Sequence, residues 1–544
     1  MTSNIIKAEY VKGSTFEDIQ KVNSVELIDS KHPDYIIDES KLAGGSAEWL
    51  FFPVNEGEVI SVVKEMYKEN IPITISGGRT GIVGSAVPFG GGVISFDQMN
   101  KIIGLSFDED VKKYFVRMEP GITLDVLDEI IKNKEFNDEH NLTAGVDSVS
   151  RFKQEKESFM FPIDPTEMTA MVGGSIAANA SGARSFKYGA MRPWVRRMRI
   201  VLDTGEVIDI TRGQYKEEGG IFTLIKGGQE IEVKIPTYQM PKAKNAAGLW
   251  AEKEMDFIEL FIGSEGILGI ITEVDLWITE RLNGLPNVMF FPSEKDAIKF
   301  VVKLREDEEL EVEYIEYFDE NSFEILKSKK DTNPALANLD TIPEDMNVAV
   351  FFETPYDEET LENLILKLED MAMECNSSID YCWSGFDEVE KENFRIMRHA
   401  VPETVNSIIG RRKHEYPKLH KLGTDMSVAD EHIQEMMKIY HETLKENKLE
   451  YCMWGHIGDN HVHVNILPRN MDELELGKKI YKKFATKAVE FGGSISAEHG
   501  IGKIKHEYLE IMYNDEAIEQ MRQVKQKIDP KGLFNRDNIF AFEN

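Results

Sequence analysis

Apolar residues in this 544-residue chain fall into short β-branched runs separated by amphipathic stretches, and the two periods predict its elements. Runs at Ile71–Ile75, Val93–Phe96, Met198–Leu202 and Ile270–Trp277 predict strands. Helical spacing over Glu58–Lys68 and Leu124–Lys132 predicts helices between them, so Trp49 to about Thr279 reads as a glycine-rich, mixed α+β half. From about Glu280 to Glu450, strand-like Val288–Phe291 and Val348–Glu353 alternate with charged helical patterns at Glu294–Arg305 and Glu358–Met373. That alternation predicts a second domain, an antiparallel sheet backed by helices. The last stretch predicts helices at Glu473–Phe491 and Asp515–Ile528, stopped by Asp529-Pro530-Lys531-Gly532. The first forty or so residues read as polar and irregular.

One strand pattern carries chemistry. Residues 461–466 alternate polar and apolar, so His461, His463 and Asn465 share a face. His456 can fold back towards them across a turn at Gly458-Asp459. About thirty residues later come Ser496-Ala497-Glu498-His499-Gly500. Two imidazoles and a carboxylate are the ligand set of an open divalent-metal site, and such a set accepts Zn²⁺, Mn²⁺ or Fe²⁺.

Three runs of small residues occur in the first half. Ser76-Gly77-Gly78-Arg79-Thr80-Gly81 follows a strand, where closely spaced glycines let backbone N–H groups converge on phosphate oxygens. No long helix follows, as a Rossmann loop would require, because Pro88 and Gly90–Gly92 interrupt it. Gly173–Gly182 and Gly263–Thr272 are the other two. Together they imply backbone packed against a large flat ligand.

Composition narrows the class. The length calls for two or three domains, and 42 % hydrophobic with 29 % charged residues describes an ordinary globular protein. A net charge of −33 argues against nucleic acid or an anionic membrane as partner. No apolar run of about 18 residues predicts a membrane span. Cys375, Cys382 and Cys452 fit a reducing cytosol and give no iron–sulfur spacing. The expected location is cytoplasmic, or peripheral to a membrane through a partner.

On these motifs the chain resembles the flavoproteins of vanillyl-alcohol oxidase type, and within them the FAD-dependent 2-hydroxyacid dehydrogenases. The resemblance implies an α+β fold: a two-subdomain FAD-binding domain over 45–284 after an extension at 1–44, an α+β cap over 285–490, and a C-terminal segment, 491–544, returning to the FAD domain. FAD would be bound non-covalently, since Ser76–Val87 carries neither histidine nor cysteine. Ser76, Gly77, Gly78, Arg79, Thr80 and Gly81 would hold its pyrophosphate. Pro162, Asp164, Gly173, Gly174, Asn179, Ser181, Gly182 and Tyr188 would line the flavin, with Lys244-Asn245-Ala246-Ala247-Gly248 as a further flavin-side element. Gly263, Glu265, Gly266, Gly269 and Ile270 would close over the dinucleotide.

The same resemblance makes His456, His463 and Glu498 metal ligands and His499 the catalytic base. Arg398 becomes the substrate-carboxylate arginine, Lys421 a second cation and Asn465 the substrate-side amide. The implied activity is oxidation of a small D-2-hydroxy acid, D-lactate foremost, with hydride passing to flavin N5. Electrons would leave to a quinone, an electron-transferring flavoprotein or an iron–sulfur subunit. Three positions depart from the family pattern: Asn460-His461 replaces Gly-Asn, Pro402 replaces a threonine of the hydroxyglutarate enzymes, and Asn535–Asn538 replaces Asn-Pro-Gly-Lys. Two other readings stay open, a non-redox enzyme like alkyl-dihydroxyacetonephosphate synthase and a flavoprotein subunit of an electron-transfer complex.

Overall fold

The structure, a computed structural model, describes residues 4–143, 146–330 and 342–542. A four-stranded sheet takes the order Lys21–Val22, Trp49–Phe51, Gly92–Ser95, Ile73–Ser76, the last three strands parallel. Helix Glu56–Glu69 joins two of them. Asn55 caps it by accepting from Glu58 N, and it ends at Asn70, whose φ of 55° turns the chain left-handed. It buries Val59, Ile60, Val62, Val63 and Met66 against the sheet, at about 1.5–3 kcal/mol per large side chain. Ile73–Ser76 then runs straight into the glycine loop.

A five-stranded antiparallel sheet is the second half of this region, ordered Val207–Thr211, Val195–Val201, Ile270–Trp277, Lys113–Met118, Ile102–Asp108. The cap is built on seven strands: Cys382–Ser384, Gly284–Phe291, Val348–Pro355, Tyr314–Phe318, Tyr451–Gly455, His463–Ile466 and Leu422–Gly423. Every neighbouring pair is antiparallel, as the alternating pattern predicts. Helices Glu294–Glu306 and Leu361–Met373 form where the charged amphipathic patterns place them, and helix Glu388–Arg412 lies against the cap. Among the described residues no helix is long and apolar enough to cross a membrane.

Residues 4–40 are not irregular. Ile5–Lys7 pairs in parallel with Thr223–Ile225, Lys21–Val22 extends the four-stranded sheet, and Ser24 caps helix Val25–Lys31. Strands of two or three residues show no period of their own; their partners supply the hydrogen bonds. At the other end, helix Asp515–Ile528 delivers residues 533–535 to the open edge of Ile73–Ser76, where Ile73 N donates to Leu533 O and Asn535 N to Ile73 O.

Candidate active site

A cavity of about 1150 Å³ runs from the glycine loops to the histidine cluster. Gly77, Gly78, Arg79, Thr80 and Gly81 line it, as do Gly173, Gly174, Ser181, Gly182, Glu265, Gly266 and Gly269. Arg398, His456, Glu498 and His499 line the same cavity. A Cβ at Gly81 or Gly174 would meet nothing within 4 Å, so bare backbone faces open space there. At Gly182 a Cβ would strike the Asp164 carbonyl at 2.1 Å, so that glycine serves packing instead. Ser76, Pro162, Asn179, Gly263 and Ile270 are buried behind the wall, not on it. Asn179 Oδ1 accepts from Arg192 N, and Tyr188, also off the wall, donates its hydroxyl to Glu313. Asp164 lines the cavity and pairs with Arg184 at 3.0 Å.

The histidines converge through a tight reversal. Strand Tyr451–Gly455 ends, a helical turn covers Ile457–Asp459, and Asn460 takes a φ of 52° that suits glycine or asparagine. The returning strand pairs His463 with Trp454. Glu498 arrives on a bend opened by Gly500 and Gly502, with φ of 76° and 55°. His456 Nε2, His461 Nδ1 and His463 Nε2 lie 3.5, 3.8 and 3.4 Å from Glu498 oxygens. One donor atom from each of the four residues falls within 4.8 Å of all the others, a set that fits a divalent ion.

Charge is tightly managed here. Burial raises the Glu498 pKa, but Lys244, His456 and His461 outweigh it and hold the carboxyl well below its usual range. Burial lowers His456, yet Glu316 and Glu498 push it up to about 10. Burial and the neighbouring His463 take His461 down to about 3. Glu316, raised by burial but facing His456 and Arg398, drops to about 2.

His499 lines the cavity with Nδ1 3.1 Å from Asp425 Oδ2 and Nε2 3.5 Å from Glu498. Asp425 accepts hydrogen bonds from the backbone N–H groups of Glu498 and His499, from Ser496 Oγ and from Lys505 Nζ. Arg398 reaches the cavity from helix Glu388–Arg412, its guanidinium 5.1 Å from the Tyr314 ring centre and 3.9 Å from Glu316. Pro402 has no N–H for the Arg398 carbonyl one turn back, which loosens the helix at that turn. Lys421 and Asn465 do not line the cavity. Lys421 is depressed by burial, and Asn465, opposite Cys452 in the sheet, donates to the His463 carbonyl.

Residues 287–539 match the C-terminal domain family of FAD-linked oxidases, and residues 47–150 and 142–211 match an FAD-binding domain family. The chain belongs to the FAD-linked oxidases. Relatives of this FAD-linked oxidase include a D-lactate dehydrogenase of Anaerostipes hadrus, 27 % identical over 94 % of this chain and 93 % of that one. A D-2-hydroxyglutarate dehydrogenase of Stutzerimonas stutzeri is 26 % identical over 90 % of each. The glycolate oxidase subunit GlcD of Bacillus subtilis is 24 % identical over 99 % and 98 %. Among solved structures, an alkyldihydroxyacetonephosphate synthase superposes with a TM-score of 0.55 at 14 % identity, over 97 % of this chain and 89 % of that one; this shows the fold alone.

For an FAD-linked oxidase the elongated cavity and its bare glycine backbone fit a dinucleotide. Three polar groups of the oxidase beside the histidine cluster are absent from the sequence expectations for that cluster. Lys244 sends its ammonium there, 3.1 Å from Glu498. Glu316 accepts from His456 Nδ1. Asp425 anchors His499. Glu316 carried a signal, a carboxylate inside the apolar strand Tyr314–Phe318.

Proposed function

We propose that this FAD-linked oxidase oxidises a small D-2-hydroxy acid, D-lactate foremost, to the 2-oxo acid. The observation that carries the reading is that Arg398 and His499 line the same cavity as the bare glycine backbone. The names of the three relatives described above, a D-lactate dehydrogenase, a D-2-hydroxyglutarate dehydrogenase and a glycolate oxidase subunit, support it. Arg398 grips the substrate carboxylate with its planar fork. The Asp425 carboxylate 3.1 Å from His499 Nδ1 favours the proton on that nitrogen, which leaves Nε2 to take the hydroxyl proton. Loss of that proton and of a hydride from the carbinol carbon leaves the ketone. Bound FAD supplies the two-electron acceptor. A divalent ion on His456, His463 and Glu498 supplies Lewis-acid polarisation of the hydroxyl. Electrons then pass to a separate acceptor.

Anaerobic mixing with D-lactate, D-2-hydroxyglutarate and glycolate tests the reading. At least one should bleach the flavin absorbance. A flavin that stays oxidised with all three sinks the proposal and leaves the non-redox ether-forming reading in its place.

A further inference from the structure

His461 is fully buried and has no assigned task. Neither of its ring nitrogens has an aligned hydrogen-bond partner. Nε2 comes within 3.2 Å of Asp425 Oδ1 but off the line a hydrogen bond needs. A buried polar ring left in this state is costly unless something else satisfies it.

His456 and His463 share one arrangement, and His461 is oriented the same way without an aligned hydrogen bond. His456 gives Nδ1 to Glu316 and turns Nε2 to Glu498. His463 gives Nδ1–H to the Thr424 carbonyl, 3.0 Å away, and turns Nε2 to Glu498. His461 places Nε2 at Asp425 and turns Nδ1 to Glu498. A distal nitrogen on a fixed acceptor and a proximal one facing a common point is how metal-bound histidines are oriented. Ligands about 2.0–2.1 Å from one ion stand about 3.3 Å apart, close to the 3.5 and 3.8 Å from His456 and His461 to Glu498 Oε2 and the 3.4 Å from His463 to Glu498 Oε1.

We infer that His461 is a fourth protein ligand, so that the centre is three imidazoles and one carboxylate. The inference rests on the metal site of the proposed function. Three imidazoles select transition ions such as Zn²⁺ or Co²⁺ over Mg²⁺. With His456, His461, His463 and Glu498 holding it, such an ion would have four protein ligands, and a substrate oxygen would add to them instead of replacing a water.

The test compares the holoenzyme with its His461→Asn and His461→Gln variants, each stripped by chelator and titrated with Co²⁺. Expected are a Kd at least about a hundredfold weaker in both variants, a changed visible Co²⁺ spectrum and melting temperatures unchanged without metal. Mg²⁺ should compete with Co²⁺ in none of them. Wild-type affinity and spectrum in the variants overturn the fourth ligand while leaving the metal site standing. A wild-type protein that binds neither Co²⁺, Zn²⁺ nor Mn²⁺ overturns both. A metal-free melting temperature that falls as far as the metal-bound one, with Co²⁺ affinity kept, assigns His461 to packing.

Discussion

Lys244 Nζ stands 3.1 Å from Glu498 Oε2, so a buried ammonium shares the carboxylate that three imidazoles face. Ser185 Oγ at 2.8 Å and Asp459 at 3.7 Å hold it there. An ammonium and a divalent ion compete for the same negative charge. Lys244→Met is therefore expected to tighten Zn²⁺ or Co²⁺ binding at least about tenfold. The metal-free protein should lose about 3–5 kcal/mol, because half of a buried pair has gone. Chelator competition and melts with and without metal read the two effects. Weaker metal binding in the variant would make Lys244 a support for Glu498.

Arg398→Ala should lower kcat/KM by about 30- to 1000-fold, the equivalent of about 2–4 kcal/mol for a charge-assisted pair in a dry site. Arg398→Lys should not restore it, since a point charge lacks the fork. Near-normal kcat/KM in the alanine variant would move the carboxylate to Arg184 or Arg395.

Glu498 and His499 are adjacent yet should fail differently. Glu498→Gln is expected to lose metal and activity together. His499→Asn should keep FAD and metal but reduce its flavin at least about a hundredfold more slowly in rapid anaerobic mixing. Equal rates for His499→Asn and wild type would place the base elsewhere.

Lys503 offers a pH signature away from the histidines. Burial takes its pKa down to about 8, although Glu265, Asp537 and Asp38 pull upward. Unfolded, the group holds its proton to near 10.5, so between about 8 and 10.5 the unfolded state binds more protons and stability rises with pH. Below about 8 both states are protonated and the contribution is flat. Urea midpoints of wild type should gain on those of Lys503→Met across pH 8 to 10, and parallel curves would refute the shift.

Acid precipitation should release yellow FAD to the supernatant. The loop Ser76–Val87 holds no histidine or cysteine, and the three cysteines are free and do not line the cavity. Flavin retained in the pellet would reveal a covalent link.

Elements with a clear period were legible in the sequence: the strand at His463, the helices at Leu124–Lys132 and Asp515–Ile528, and the antiparallel cap sheet. Glu498 beside the histidines was legible because its motif travels with theirs. The charges that tune them were not. Lys244 meets Glu498 across 254 residues and Glu316 meets His456 across 140, and no local pattern encodes a contact that distant. Lys421 and Asn465 illustrate the converse. A motif carried them to the site, while the backbone leaves them off the cavity wall.

The bond from Ile75 N to Asn535 Oδ1 spans 460 residues, and Asn535 Nδ2 also reaches the Glu265 carbonyl beside the cavity. A ribosome makes the glycine loop 460 residues before the residue that braces it. The nascent chain therefore carries this sheet open-edged, exposed to pairing with other chains, until residues 533–535 are made. Contacts this distant in sequence also close slowly. Cofactor capture should thus wait until Asn535 has been made and docked, and production at lowered temperature with slowed translation should yield more flavin-loaded protein than rapid expression does.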